Sequence, residues 1–329
     1  MTVRWGILGA GWISDRALAG AMTAAVGAEL VAVGARDARR ASAFAQAKGI
    51  PRSYGSYAEV LADPDVDAVY IALANDAHKP VTIAALEAGK HVLCEKPLAL
   101  TAAEVDEMAA AAEHTGRLLV EASWYRWHPR VRLAQRLIAE GAIGAVRHVR
   151  AGFTFAGVAP GNYRLDPAMG GGALYDIGCY AVSAALWSFG TPPREVRAEM
   201  ELGPTGVDLS TQATVVFDEG TADLRASVAE PGREWIVIAG DRGQMELTDQ
   251  AFTSWIDQPS ELVVSRRLRR TRRFPLPAED PYRVMVEEMS SVIEGGTGWV
   301  LPVAESRLTA AVIDAAFTSA RTGRPAAVL

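Results

Sequence analysis

The sequence predicts an α/β fold in two parts: a doubly wound parallel-sheet unit over residues 1–122, then an α+β unit over 123–329 built on a large, mostly antiparallel, open-faced sheet. Three observations carry this. Short apolar runs alternate with alanine-rich amphipathic stretches as far as Ala122, which is the pattern of βαβ units. A glycine pair, Gly9 and Gly11, stands directly after the first apolar run. Beyond Pro129, strand-like segments follow one another without helices between them, as antiparallel sheets require. The 329 residues, half of them hydrophobic, suffice for two cores.

In order along the first part, strands are expected at residues 3–8, 29–34, 68–73, 91–94 and 118–121. Helices at 13–25, 39–48, 79–88 and 102–114 lie between them, broken by Gly or Pro where a helix should stop. In the second part a helix from Pro129 to about Glu140 leads into the alternating stretch 146–155, and 211–217, 222–228 and 235–239 repeat that strand character. Turns are expected at Asp218-Glu219-Gly220 and Asp241-Arg242-Gly243. Helices at 282–294 and 305–321 close the chain, the last packing back on the first part. A sheet covered by helices on one face leaves an apolar face to bury, so a homo-oligomer, most simply a dimer through that sheet, is expected.

Composition narrows the partners. A net charge of -6 provides no global basic field, so neither nucleic acid nor a membrane is an expected partner. No segment reaches the roughly 18 continuous apolar residues of a membrane helix. Strand character already at residue 3 argues against a secretory leader, and a cytoplasmic location is expected. Cys94 and Cys179 lie far apart and read as reduced, structural thiols. The five histidines, His78, His91, His114, His128 and His148, lack ligand spacing, so no metal is expected. The basic stretch 265–274 has no interleaved aromatics and reads as an edge strand or loop protected by charge.

Gly9-Ala10-Gly11-Trp12-Ile13-Ser14 supplies a tight turn and a close backbone approach where a helix N-terminus can take a pyrophosphate, with Ser14 in place of a third glycine. Gly9, Gly11, Trp12 and Ile13 are therefore candidate dinucleotide contacts. The second strand ends at Gly34-Ala35-Arg36-Asp37. An acidic residue there would bind the ribose hydroxyls of NAD, and an arginine the 2'-phosphate of NADP. Arg36 comes first and favours NADP over NAD, whereas Asp37 is well placed to cap the next helix. Arg39 and Arg40 read either as a second phosphate contact or as a solvated helix surface.

Lysine is scarce, with only Lys48, Lys79, Lys90 and Lys96. Lys96 falls in Glu95-Lys96-Pro97 directly after the strand at 91–94, at the carboxyl end where open α/β sheets bind ligands. Further on, Asp176 and Tyr180 stand at i and i+4, on one face of a helix if the stretch after Gly172 is helical. Gly178 inside that stretch implies the close approach of a neighbour or ligand.

The glycine loop, Asn75 with His78, and Gly89-Lys90-His91-Val92-Leu93-Cys94-Glu95-Lys96-Pro97 together resemble the Gfo/Idh/MocA oxidoreductase family, over nearly the whole chain. Gly170-Gly171-Gly172-Ala173-Leu174-Tyr175-Asp176-Ile177-Gly178-Cys179-Tyr180 is similar to the branch containing dimeric dihydrodiol dehydrogenase, glucose-fructose oxidoreductase and NADP-dependent aldose dehydrogenases such as D-xylose dehydrogenase. Glu121-Ala122 with Trp124, Arg126 and Pro129 matches the same branch. The resemblance implies a Rossmann domain in which Leu73, Asn75, His78, Glu95 and Lys96 join the glycine loop and Arg36 at the cofactor, and a cis bond at Lys96-Pro97. It also implies that Asp176 and Tyr180 come over the nicotinamide to meet Lys96 at one substrate oxygen. Trp124, Arg126, Phe153 and Tyr163, with Asp176, are the candidate substrate contacts. Many inositol dehydrogenase-like members carry histidine where this chain has Tyr180, which points away from inositol.

Hydride transfer from a carbinol needs a base for the hydroxyl proton, and a phenol of reference pKa near 10 serves when a cation stabilises its anion. The expectation is Tyr180 as proton carrier, oriented and acidified by Lys96, in an NADP-dependent oxidoreductase of a sugar or related cyclic diol. A 3-ketoreductase of a nucleotide-linked deoxysugar is the second enzymatic reading, and a non-catalytic NADP-binding regulator is the reading from another class.

Overall fold

The computed structural model describes residues 2–247, 250–253, 258–266 and 271–329. They form two compact units: one takes the residues up to Ala99, then Ala103–Trp127 and Asp280–Ser306, and the other takes Leu100–Ala102, His128–Glu279 and Arg307–Leu329.

In the first unit, β1 (Val3–Leu8), β2 (Ala28–Gly34), β3 (Arg52–Tyr54), β4 (Ala68–Ile71), β5 (His91–Cys94) and β6 (Leu119–Glu121) make a parallel sheet in the order β3-β2-β1-β4-β5-β6. That is the doubly wound order whose switch point lies between β1 and β4, so the loops leaving those strands flank a ligand crevice. Trp5, Ile7 and Leu8 on β1 and every residue of β4 are buried, because helices cover both faces of a parallel sheet. The helices are α1 (Ala19–Ala24), α2 (Ala38–Lys48), α3 (Tyr57–Ala62), α4 (His78–Glu87) and α5 (Ala102–Thr115).

Two departures from the sequence reading have simple causes. The helix expected at 13–25 opens as a π turn, Ser14–Leu18, before α1 begins. β3 and α3 were not expected: β3 is three residues long, and α3 is started by a capping box in which the Ser56 hydroxyl accepts from Glu59 N while the Glu59 carboxylate accepts from Ser56 N.

The second unit opens with α6 (Pro129–Ala139) and carries α7 (Cys179–Phe189) against a nine-stranded sheet of order β14-β13-β12-β11-β7-β10-β9-β8-β15. Its strands are β7 (Val146–Thr154), β8 (Glu195–Leu202), β9 (Asp208–Val216), β10 (Thr221–Ser227), β11 (Arg233–Gly240), β12 (Gly243–Leu247), β13 (Ser260–Arg266), β14 (Arg272–Leu276) and β15 (Ala326–Ala327). β7 and β10 pair in parallel and the other pairs are antiparallel. Ala151, paired with Leu224 and Ile236, is buried on the helix side. Alternate positions point the other way, and their register row runs Arg197, Thr214, Asp223, Arg150, Val237 and Glu246. The face without helices is thus largely polar, which corrects the apolar face supposed above; the period of two sorts charges to that side. β14 forms one edge, with Arg272 and Arg273 exposed, as the basic stretch suggested, and residues 267–270 of that stretch lie outside the described residues.

The chain then returns to the first unit through α8 (Pro281–Ile293), where Trp5 Nε1 donates to Ser290 Oγ at 3.0 Å and Val26 N donates to Glu287 Oε1 at 3.0 Å. From Arg307 onward α9 (Val303–Thr322) belongs to the second unit, where Ser319 Oγ accepts from Ala198 N at 3.0 Å. α8 and the first turn of α9, to Ser306, thus belong to the first unit, and the rest of α9 to the second.

Candidate active site

The loop after β1 is shaped by its glycines. Gly9 has φ +112°, and a Cβ there would lie 2.4 Å from the Ala72 carbonyl oxygen, so the switch-point loops pass at backbone contact distance. At Gly11 a Cβ would meet nothing within 4 Å, which leaves the open space that a bulky anion needs. Ser14 is buried and donates its hydroxyl to Gly9 O at 2.6 Å, so the residue standing for a third glycine ties the loop to the helix start. Ile13 precedes the π turn, and Trp12 is 68 % exposed on the loop's outer side.

At the end of β2, Asp37 spends its carboxylate on α2, accepting from Arg39 N at 2.8 Å and Arg40 N at 3.4 Å. Arg40 braces the phosphate loop, its Nε and Nη2 donating to Ala10 O at 3.1 and 2.8 Å. Arg36 stays exposed beside them. This division of labour leaves a cation and no uncommitted carboxylate at the strand end. The residues present fit a dinucleotide carrying a 2'-phosphate.

The Lys96-Pro97 peptide is cis. Glu95 is buried, accepting from Lys96 N at 3.1 Å through Oε2 and from the Tyr70 hydroxyl through Oε1, so the residue before the lysine is fixed by β4. His78 has no exposed surface: Nδ1 lies 2.8 Å from Pro97 O and Nε2 3.2 Å from Leu73 O. Burial holds its imidazole below the usual value although both carbonyls favour the cation. A ring so enclosed clasps the loops after β4 and β5 together, so its part in the site is to position Leu73 and Lys96. Asn75 is buried in the 3-10 turn Asn75–Ala77. Burial pushes the Glu121 carboxyl up, opposed by the Ser306 hydroxyl, the Leu98 amide and the Arg126 and Lys96 charges.

Trp124 and Arg126, expected at the substrate, are interior. Trp124 stacks on Tyr282 of α8 with centroids 4.8 Å apart, and Arg126 is buried with Nη1 donating to Glu305 Oε2 at 2.8 Å. Their partners come from the returning segment, so these side chains tie it to the first unit.

In the second unit, Asp176 and Tyr180 do gather with Phe153 and Tyr163. Leu174–Gly178 is a π turn running into α7, with Cys179 N donating to Leu174 O. Gly178 lets this turn touch β10: a Cβ would sit 3.2 Å from that of Ala226. The Tyr180 ring lies 6.0 Å from that of Phe153 and 5.6 Å from that of Phe252, and Phe153 and Phe252 stack at 6.0 Å.

Three residues at this site, Arg164, Phe252 and Asp208, carried no signal in the sequence. Arg164, in the 3-10 turn Tyr163–Leu165, donates Nε to Asp176 Oδ2 at 2.6 Å and lies 4.8 Å over the Tyr163 ring. Phe252 is carried on a segment pinned by two side chains: half-buried Glu234, whose Oε2 accepts from Phe252 N at 2.7 Å and from Thr253 N at 2.9 Å, and buried Arg130, whose Nη2 donates to Gln250 O at 2.8 Å. Asp208 is 1 % exposed, accepting from Leu174 N at 2.8 Å and from Thr211 Oγ1 at 2.6 Å, and so holds the turn that bears Asp176. Burial pushes its carboxyl up to about 6. Gly172, at φ +117°, allows this, because a Cβ there would strike Asp208 Oδ1. Each of these contacts joins residues in loops or across strands, with no spacing that announces it.

Comparison with known proteins agrees with this geometry. Residues 3–123 match the model of the GFO_IDH_MocA oxidoreductase family with NAD-binding Rossmann fold, and residues 131–246 match the GFO/IDH/MocA C-terminal domain. A D-xylose 1-dehydrogenase (NADP(+)) of Haloferax volcanii is 36 % identical over 97 % of this chain and 98 % of its own. The trans-1,2-dihydrobenzene-1,2-diol dehydrogenase of Xenopus tropicalis is 35 % identical over 84 % of this chain and 82 % of its own. Among solved structures, KijD10, a 3-ketoreductase from Actinomadura kijaniata in complex with NADP and TDP-benzene, superposes with a TM-score of 0.90 and 28 % identity, over 97 % of this chain and 98 % of that one.

Proposed function

This chain belongs to the Gfo/Idh/MocA oxidoreductase family, and from that premise we propose that it is an NADP-dependent oxidoreductase moving a hydride between the nicotinamide and a carbinol or carbonyl carbon of a sugar or related cyclic diol. The observation that carries the cofactor choice is the end of β2, where Asp37 is committed to the α2 cap and Arg36 is left exposed. Relatives named for D-xylose and for a dihydrobenzenediol support the substrate class.

Bound NADP supplies the hydride acceptor or donor at the nicotinamide. The Gly9 and Gly11 backbone admits the pyrophosphate, and Arg36 takes the 2'-phosphate. In the oxidising direction Tyr180 Oη, as phenolate, receives the hydroxyl proton while the hydride leaves the same carbon, and the phenol then returns that proton to water. In the reducing direction the phenol protonates the carbonyl oxygen as the hydride arrives. Lys96 Nζ orients the substrate oxygen and favours the phenolate, and Asp176 holds a neighbouring hydroxyl. The Phe153 and Phe252 rings restrain Tyr180 and exclude water from its back.

A second reading, the reduction of a 3-keto group on a nucleotide-linked sugar, is supported by the likeness to the 3-ketoreductase from Actinomadura kijaniata. A homodimer through the helix-free sheet face is part of the proposal. The row of alternating Arg197, Asp223, Arg150 and Glu246 can meet its own two-fold copy with opposite charges opposed. Among the described residues no helix is long and apolar enough to cross a membrane, and a cytoplasmic location is proposed. The test is a panel of D-xylose, other aldoses, trans-dihydrobenzenediol and a nucleotide-linked 3-ketosugar, each with NADP and NAD. Turnover of a free sugar or diol that prefers NADP supports the first reading. Turnover confined to the nucleotide-linked ketone would replace it with the second, and tight NADPH binding with no turnover anywhere would favour a regulator.

A further inference from the structure

Tyr180 needs positive charge near its hydroxyl to act as a proton acceptor near neutral pH, and the sequence offers only Lys96, which belongs to the other unit. The second unit holds a cation of its own. Arg164 is fixed from two sides: its Nε donates to Asp176 Oδ2 at 2.6 Å, and its carbonyl oxygen accepts from Gly172 N at 2.9 Å. Gly171 has no room for a side chain, since a Cβ would lie 2.6 Å from Arg164 O. Asn162 accepts from Arg164 N at 3.0 Å and starts the turn that carries it. The turn bearing Arg164 is thus stitched to the turn bearing Asp176, one helical step before Tyr180.

We infer that Arg164 is a positioning residue of the proton-transfer site, which orients Asp176 and supplies, from within the second unit, charge that stabilises the Tyr180 phenolate. The inference rests on the reading of Tyr180 as the proton carrier. Asp176 at 2.6 Å and the Tyr163 ring at 4.8 Å face the guanidinium, and Tyr180 follows Asp176 by four residues where the π turn runs into α7. Burial lowers the Arg164 pKa, and the charges of those three groups outweigh it, so the net direction is up. Interaction between two groups is mutual, so what Tyr180 does to Arg164, Arg164 does to Tyr180 in the opposite sense. From β7 and from the segment at 250–253, Tyr180 meets the uncharged rings of Phe153 and Phe252, which add no charge of their own, while the Asp176 carboxylate at 2.6 Å offsets part of the guanidinium charge.

The role predicts a shift that a merely structural arginine would not produce. Tyrosinate absorbance is titrated on the full chain with saturating NADP+, and the component lost in Tyr180→Phe is assigned to Tyr180. Its midpoint should rise by about one pH unit in Arg164→Met and in Arg164→Gln, and Arg164→Lys should restore most of it. The ascending limb of kcat/KM for substrate oxidation should move with it. A midpoint unchanged in whichever neutral variant folds, or equally displaced in Arg164→Lys, would overturn the inference. Full turnover in Tyr180→Phe would instead remove the proton-carrier reading while leaving the optical coupling between Arg164 and Tyr180 to stand or fall by itself.

Discussion

Asp208→Asn changes one buried atom at the base of the Asp176 turn and should alter how stability depends on pH. The carboxyl is pushed from 3.8 up to about 6, chiefly by burial, with the Thr211 hydroxyl and Leu174 amide pulling the other way. A carboxyl raised on folding favours the protonated native state. Its contribution is present in full below about 3.8 and is lost as pH rises through about 6. The gap converts to about 3 kcal/mol, of which about 2 kcal/mol falls between pH ~4.5 and ~7.5. Leu174 N and the Thr211 hydroxyl both donate to Oδ2, so the asparagine oxygen can accept from both, and the amide that replaces Oδ1 carries no charge to desolvate. Urea unfolding of both proteins at several pH values, followed by tryptophan fluorescence, gives two stability curves. The variant's curve should gain about 2 kcal/mol on the natural protein's between those pH values, with other titrating groups cancelling in the difference. Parallel curves would refute the account of Asp208.

Three further outcomes follow from the same geometry. His128 accepts from Arg130 N at the start of α6, and burial, then the Arg130 charge, hold it down to about 4. A histidine lowered on folding contributes stability present above about 6.5 and lost as pH falls towards about 4, about 3 kcal/mol in all. His128→Asn, which still caps the helix, should therefore flatten the acid side of the urea-stability curve. Arg36→Ala should raise the KM for NADP about 10- to 100-fold and leave that for NAD nearly unchanged, in steady-state assays with both cofactors. Arg126→Met should cost about 1 kcal/mol of stability, because it removes the bond to a Glu305 carboxylate that is partly solvated, with little change in substrate KM; a selective rise in KM at unchanged stability would support Arg126 at the substrate.

The dinucleotide half was legible because its determinants are local. Gly9 and Gly11 sit between a strand and a helix, and the capping role of Asp37 can be read from the residues that follow it. Lys96 and the Asp176–Tyr180 pair announced themselves by position and spacing. The surroundings of Trp124 and Arg126 were not legible, because a tryptophan beside an arginine looks alike at a pocket and in a core, and the partners found, Tyr282 and Glu305, lie more than 150 residues away. Arg164, Asp208 and Phe252 were invisible for the same reason. Arg164 reaches Asp176 from a glycine-rich loop, and Asp208 reaches Leu174 from a strand end, so only the folded chain brings them together. The polarity of the helix-free sheet face was also hidden, since which alternate residues face the helices depends on register.

In the proposed reaction Tyr180 carries the proton and Lys96 prepares it while NADP takes or gives the hydride. Turnover and NADPH binding should be measured together in Lys96→Met and Tyr180→Phe, on a substrate the natural protein turns over, with binding followed by quenching of tryptophan fluorescence. kcat should fall at least about 100-fold in each variant while the Kd for NADPH changes less than about threefold. Turnover undiminished in both variants would contradict it.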